Sequence, residues 1–300
     1  MKRFTINILL FFAIVAIVDC GVGFVGTYLQ SHSKRGDTRK INDLVMNECH
    51  DILILGSSRA CHHYDAPFMS DTLGLDVYNA GFDGNGVVLS YGLLAMMLER
   101  YQPKLVIYDV EPAFDINVYS ADNNHKRYIG PLKPYYKDSY IEQVIKDVST
   151  EEWYKTHSGM MRYNTTIITK ALDCISGGQD NNKGYIPLQG VYTKEPKNGD
   201  SKPIIDDFKL EYVEKLLSIA REHEVPIIVV ASPKYGMVSS DNIQPVKNIC
   251  ANNNVPFIDY YDDAEFMMHK EWFKEPMHLN IEGARMFSEK MIANINPYLK

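Results

Sequence analysis

Two short stretches carry side chains that could do chemistry together. Residues 51–65 read DILILGSSRACHHYD, an apolar run that breaks at Gly56 and delivers Ser57 and Ser58. Residues 274–284 read KEPMHLNIEGA and hold Glu275 and His278 three positions apart. A serine hydroxyl is a weak nucleophile until an imidazole accepts its proton, and that imidazole needs a carboxylate to fix its tautomer and stabilise the cation. The three residue types together suit acyl transfer through a covalent intermediate. Taken singly they are ordinary: a turn serine caps the next helix, and a histidine at a helix entry finds a backbone partner. Their order along the chain gives them weight. Pro276 biases Glu275 towards extended backbone, while Asn280 suits the cap of a following helix and Glu282 its first turn.

Such groups must be positioned by elements far apart in sequence. DILIL (51–55), LDVYN (75–79), KLVIYDV (104–110), PIIVVAS (226–232) and PFIDY (256–260) read as short strands. Helix patterns lie between them at 87–100, 207–223 and 240–253. Near-continuous apolar strands joined by helices predict a three-layer α/β/α fold around a parallel sheet of about five strands. Ligands then collect beyond the carboxyl ends of the strands, where GSSR, NAGFDGNG (79–86) and KEPMHLNIEGA should meet. Residues 112–205 interrupt the alternation, with helices near 139–148 and 160–175, and read as an insertion over the sheet edge.

The chain has 300 residues, enough for one large α/β domain at 49–300 containing that insertion. Residues 6–28 are mostly apolar, broken by Asp19, and long enough to cross a membrane. Residues 1–29 are thus expected to be an anchor or uncleaved signal, and 30–48 a polar linker. Lys34, Arg35, Arg39 and Lys40 outnumber Lys2 and Arg3, which by the positive-inside rule alone would keep the domain in the cytoplasm.

The two chemical stretches, with the strand order, resemble the SGNH (GDSL-like) hydrolases, over roughly 51–111 and 207–297. Gly56-Ser57-Ser58 is similar to the family's first block, with Ser57 in the usual Asp position, as in membrane-anchored relatives similar to the D-alanyl transfer proteins. Glu275-Pro276-Met277-His278 is similar to its last block, with Glu for Asp. The resemblance implies an SGNH/flavodoxin-like sheet, Ser58 as nucleophile, His278 as base then acid, and Glu275 as its orienting carboxylate. It also implies an oxyanion hole from the Ser58 and Gly84 backbone N–H groups. The family's third donor is an Asn after the third strand, where this chain has Glu111. Either Asn85 supplies that donor or Glu111 turns elsewhere. The implied function is hydrolysis of O-acyl esters, acetyl foremost, on an envelope or extracellular glycan, with the domain outside the cytoplasm. The alternatives are an O-acyltransferase using the same acyl-serine, and a degenerate glycan- or partner-binding protein. No cofactor and no metal are expected.

Other readings are weaker. Gly81, Gly84 and Gly86 spell G-x-x-G-x-G after the second strand, which is not the dinucleotide fingerprint. Gly56-x-Ser58-x-Ala60 lacks the several strands that precede a nucleophile elbow. His62, His63 and Asp65 read as surface polar residues rather than metal ligands, and Arg59 as an ion-pair residue under the site. The tyrosines at 128, 135, 136, 185 and 192 could stack on sugar rings, but read rather as packing of the insertion. With 31 basic against 38 acidic residues and no basic run in the folded part, nucleic acid is not an expected partner. Cysteines 20, 49, 61, 174 and 250 show no paired spacing, so a disulfide framework is excluded.

Overall fold

Strand-forming runs buried on both faces fix the architecture. In the computed structural model, residues 2–118, 125–178, 182–194, 204–236 and 240–299 are described; the tail of the turn-rich stretch, 195–203, lies outside them. The chain opens with α1 (Lys2–Ser31) and α2 (Gly36–Asn42), then alternates through β1 (Ile52–Gly56), α3 (Ser58–His63), α4 (Ala66–Leu73), β2 (Val77–Asn79), α5 (Val87–Leu98) and β3 (Leu105–Asp109). Helices follow: α6 (Pro112–Asp115), α7 (Lys126–Ile129), α8 (Ser139–Val148), α9 (Thr150–Thr156), α10 (Gly159–Tyr163) and α11 (Ile167–Ile175). The alternation resumes with α12 (Asp207–Glu222), β4 (Ile227–Ala231), α13 (Gln244–Asn252), β5 (Phe257–Asp259) and α14 (Ala264–Met268). A hairpin of β6 (Phe273–Glu275) and β7 (His278–Leu279) leads into α15 (Ile281–Ile295).

Two units divide the chain: Leu44–Asn124 with Asn181–Lys300, and Met1–Asp43 with His125–Asp180. The first holds a five-stranded parallel sheet in the order β2-β1-β3-β4-β5. β1, β3 and β4 are buried throughout, the pattern of strands covered by helices on both faces. Ile52, Ile54, Leu105, Ile107, Ile228 and Val230 turn one face towards Phe287 and Met291 of α15. The interior strand β1 ends at the point where the strand order reverses, the usual place for a site in such a sheet. Part of the expected insertion belongs to this unit: Gly184 sits against the Asn79 carbonyl at the β2 edge.

The second unit is helical. Within it, residues 125–178 pack on α1 and α2. The helix expected at 160–175 is two helices, α10 and α11, separated by Asn164–Thr166, where Thr165 takes a positive φ of 66°. The stretch read as a linker is also helical, in α2 and in the π-turn Asp43–Asn47. α1 alone among the described helices is long and apolar enough to cross a membrane, a property shared by anchors and signal sequences.

Candidate functional site

Backbone constraints at the end of β1 set where Ser58 lies. Gly56 has φ 144°, and a Cβ there would stand 2.5 Å from the Asp109 carbonyl oxygen, so only glycine fits. The chain turns, Ser57 becomes the cap of α3, and its buried Oγ accepts from the Arg59 N–H at 3.5 Å. Ser58 is then the first residue of α3, at the carboxyl end of β1.

Glu275 and His278 come from the β6–β7 hairpin, where they face each other in register across Pro276-Met277. Extended backbone before Pro276 is what the proline dictates. The Asn280 Oδ1 accepts from the Gly283 N–H at 3.0 Å and caps α15, and its Nδ2 donates to the carbonyls of Glu271 and Gly190. That single side chain ties the hairpin to the helix after it.

The two stretches meet. His278 Nε2 lies 2.7 Å from Ser58 Oγ, across 220 residues of sequence, and His278 Nδ1 is hydrogen-bonded to the Glu275 carboxylate. With the proton on Nδ1 shared towards Glu275, the Nε2 lone pair faces the serine hydroxyl. The hydrogen bond from His278 holds the Glu275 carboxyl below the usual carboxylate range. Such an arrangement can draw the proton from Ser58 and store the charge on an imidazolium beside a carboxylate.

Polar side chains read as surface residues are found inside. His63 is fully buried and His62 nearly so, both on α3, and both present ring edges to His278, with centroids 6.2 and 5.2 Å away. His63 Nε2 accepts the Leu279 N–H at 3.1 Å, so its proton sits on Nδ1 and is given to Ser232 Oγ at 2.9 Å. Burial and the neighbouring Arg59 hold this imidazole well below the usual histidine range, hence neutral. His62 Nδ1 contacts the Ile186 carbonyl at 2.7 Å and Nε2 the Asp83 carboxylate at 3.1 Å. The expectation of solvated histidines fails because β7 and the 182–188 segment cover α3.

Arg59 is an ion-pair residue under the site: its Nη1 donates to Glu111 at 2.9 Å and its Nε to Ser232 Oγ at 3.1 Å, with both charged side chains sealed from water. Glu111 has therefore turned to Arg59. Asn85 donates its side-chain amide to the Asp83 carbonyl at 3.0 Å within its own turn. In that turn the Asn85 N–H returns to the Phe82 carbonyl, and Gly84 takes φ 66° at the position that demands it. The loop is fixed to the sheet through the Phe82 N–H and the Gly56 carbonyl, and through Asn79, whose amide donates to Ala60 and Tyr64 of the α3 segment.

Sequence reasoning overlooked the segment after β4. Ser232 is buried at the junction of Arg59 and His63, and Lys234 is half-buried within the fields of Glu111, Arg59 and Glu275, burial lowering its ammonium from the ordinary range. The strand-end rule that singled out the other loops applied equally to Ser232-Pro233-Lys234. Tyr64 is a second omission: its hydroxyl donates to buried Asp109 at 2.5 Å, whose carboxyl burial pushes up to about 6. Of the five tyrosines read as packing, Tyr128, Tyr185 and Tyr192 are buried, and Tyr135 and Tyr136 are half-buried. Among the described residues no group of His, Cys, Asp and Glu is arranged to hold a metal ion.

No protein-family model matches the chain, and no curated protein matches it. Solved structures overlap it, among them two at low identity. One, provisionally described as a platelet activating factor from Streptococcus pneumonia, shares 14% identity at a TM-score of 0.45, over 96% of this chain and 99% of that one. The other, an acetyl xylan esterase, shares 13% at 0.41, over 81% of this chain and 99% of that one. At those values neither likeness bears on the chemistry of the site.

Proposed function

We propose that the protein is a serine esterase of SGNH type that removes O-acyl groups, acetyl foremost, from an envelope or extracellular glycan, held at a membrane by α1. One observation carries the reading: the continuous hydrogen-bonded series from Ser58 Oγ through His278 to Glu275, with the hydroxyl 2.7 Å from the imidazole, inside the range for proton transfer. Ser58 Oγ attacks the ester carbonyl as its proton passes to His278 Nε2. The tetrahedral oxyanion forms beside the Ser58 N–H, at the open start of α3, and the Gly84 N–H; one such donor is worth about 10²–10³ in rate. His278 returns the proton to the departing sugar oxygen, leaving acyl-Ser58. Water, deprotonated by His278, then attacks the acyl carbon, releasing the carboxylic acid and restoring the serine. The Glu111 charge is balanced by Arg59, which supports an active site over a degenerate one.

The test is labelling of the full-length protein in detergent micelles by a fluorophosphonate probe. Wild type should label, and Ser58→Ala and His278→Ala should not. An unlabelled but folded wild type overturns the reading. Acetate release from p-nitrophenyl acetate, with and without an oligosaccharide acceptor, then separates transfer to water from transfer to a sugar hydroxyl.

A further inference from the structure

α1 has two faces of different chemistry. Phe4, Leu10, Phe11, Ile14, Ile17 and Phe24 are exposed apolar side chains, whereas Asp19, Gly23, Gly26 and Gln30, spaced by four, three and four, face the helices of their own unit. The partners climb that stripe in order. The Asp19 carboxylate accepts from the Ser158 hydroxyl at 2.5 Å and from the N–H groups of Gly159 and Met160 at 3.0 and 2.9 Å. Gly23 lies against Gly159, and a Cβ on Gly26 would enter the Tyr163 ring. Higher up, Cys174 Sγ donates to the Leu29 carbonyl at 3.2 Å and Lys170 Nζ donates to Gln30 Oε1. From Asp19 to Gln30 is about 16 Å of helix at 1.5 Å per residue, so α10 lies deeper along α1 than α11 does.

α11 turns its opposite face outward. Ile168, Leu172 and Ile175 follow one another at four and three residues and are 73%, 51% and 80% exposed. Met160 and Met161 of α10 are exposed as well. At the same height as α11, α1 ends and the basic residues begin: the Lys34 N–H donates to the Asp173 carbonyl, and Arg35 pairs with the Asp173 carboxylate at 3.1 Å. An apolar helix face level with the end of a spanning helix, rimmed by cations, has the make-up of an interfacial helix.

We propose that α11 forms a shelf lying in the interfacial layer of the bilayer that α1 crosses, above the deeper α10, with Ile168, Leu172 and Ile175 among the upper acyl chains. This rests on the reading of α1 as a membrane span. The occupant is lipid because the apolar face continues the lipid-facing surface of α1. At depth the Asp19 charge meets donors at the start of α10, and those backbone donors meet an acceptor, as hydrocarbon requires. Removal of α1 after synthesis would leave Ser158 and Lys170 without these partners, so the shelf calls for a retained helix.

The experiment uses the full-length protein in vesicles of phosphatidylcholine and phosphatidylglycerol, with bromine on the upper acyl carbons. Leu10→Trp reports on the span and Leu172→Trp on the shelf, each read as a difference from wild type, which carries Trp153 and Trp272. Leu172→Trp should lose about half of its added emission in brominated vesicles if it sits some 5–10 Å into the interface. Quenching at Leu10 without quenching at Leu172, the result for a face that meets water or an absent protein, overturns the shelf and leaves the span. No quenching at Leu10 overturns the span, and the shelf with it.

Discussion

The Glu111 carboxylate and the Arg59 guanidinium meet at 2.9 Å with both side chains closed off from solvent. Removing one partner strands the other charge, so Arg59→Ala or Glu111→Ala should cost about 3–5 kcal/mol of stability. The double variant Arg59→Met with Glu111→Leu should recover most of that loss. Urea unfolding of the four proteins measures it, and a double variant as unstable as the singles would contradict the pairing.

Glu275→Gln should lower kcat/KM for p-nitrophenyl acetate by about 10²–10⁴-fold, because an amide neither fixes the Nδ1–H tautomer nor stabilises the imidazolium. Since His278 holds the Glu275 carboxyl below its ordinary range, the contribution of this group is present above the unfolded value and lost as pH falls through the folded one. Activity should therefore fall on acidification as the Glu275 carboxylate is lost, and that acid limb should change in Glu275→Gln, which has no carboxylate to protonate. An acid limb that stays put in the variant would argue against the pair.

His63 should act as a positioning residue. His63→Ala leaves the buried Leu279 N–H without its acceptor, at a cost of about 1–3 kcal/mol, and loosens the hairpin that carries His278. The expected result is a fall in kcat of about tenfold or more with KM little changed, as for a misplacement of the reacting groups. His63→Gln, able to accept from Leu279, should recover part of kcat; equal damage in both variants would indicate loss of packing alone.

Burial pushes the Asp115 carboxyl up to about 7 and that of Asp109 to about 6. A folded value raised above the unfolded one gives stability that is present at low pH and lost as pH rises through the folded value. Thermal stability should thus fall as pH rises from about 6 to about 8.5. His63, depressed in the fold, works the other way below its ordinary range, so the gain on acidification flattens there. Calorimetry across this range checks the slope, which Asp115→Asn should reduce.

How much was legible follows from the range of the forces involved. The five strands lie within two residues of the runs read for them, because double-sided burial writes a continuous apolar segment into the sequence. The Asn280 cap was legible for the same reason, being local. His62 and His63 were misread because their cover, Leu279 and Ile186, lies more than a hundred residues away and leaves no mark on the local pattern. The Arg59–Glu111 pair is likewise a contact between two strand ends, and the break at Thr165 depends on one residue in a left-handed conformation. The stripe on α1 escaped because Asp19 looked like an interruption until its partners at Ser158, Gly159 and Met160 were seen.

The register of the β6–β7 hairpin divides the site into a part made locally and a part made late. Glu275 and His278 are paired by two residues of turn, whereas Ser58 waits for the hairpin to dock on α3. On a ribosome, a chain that has emerged as far as β5 already displays its serine yet carries no base to activate it. On the proposed function, acyl chemistry at Ser58 would report that the chain beyond β5 has been synthesised, folded and seated.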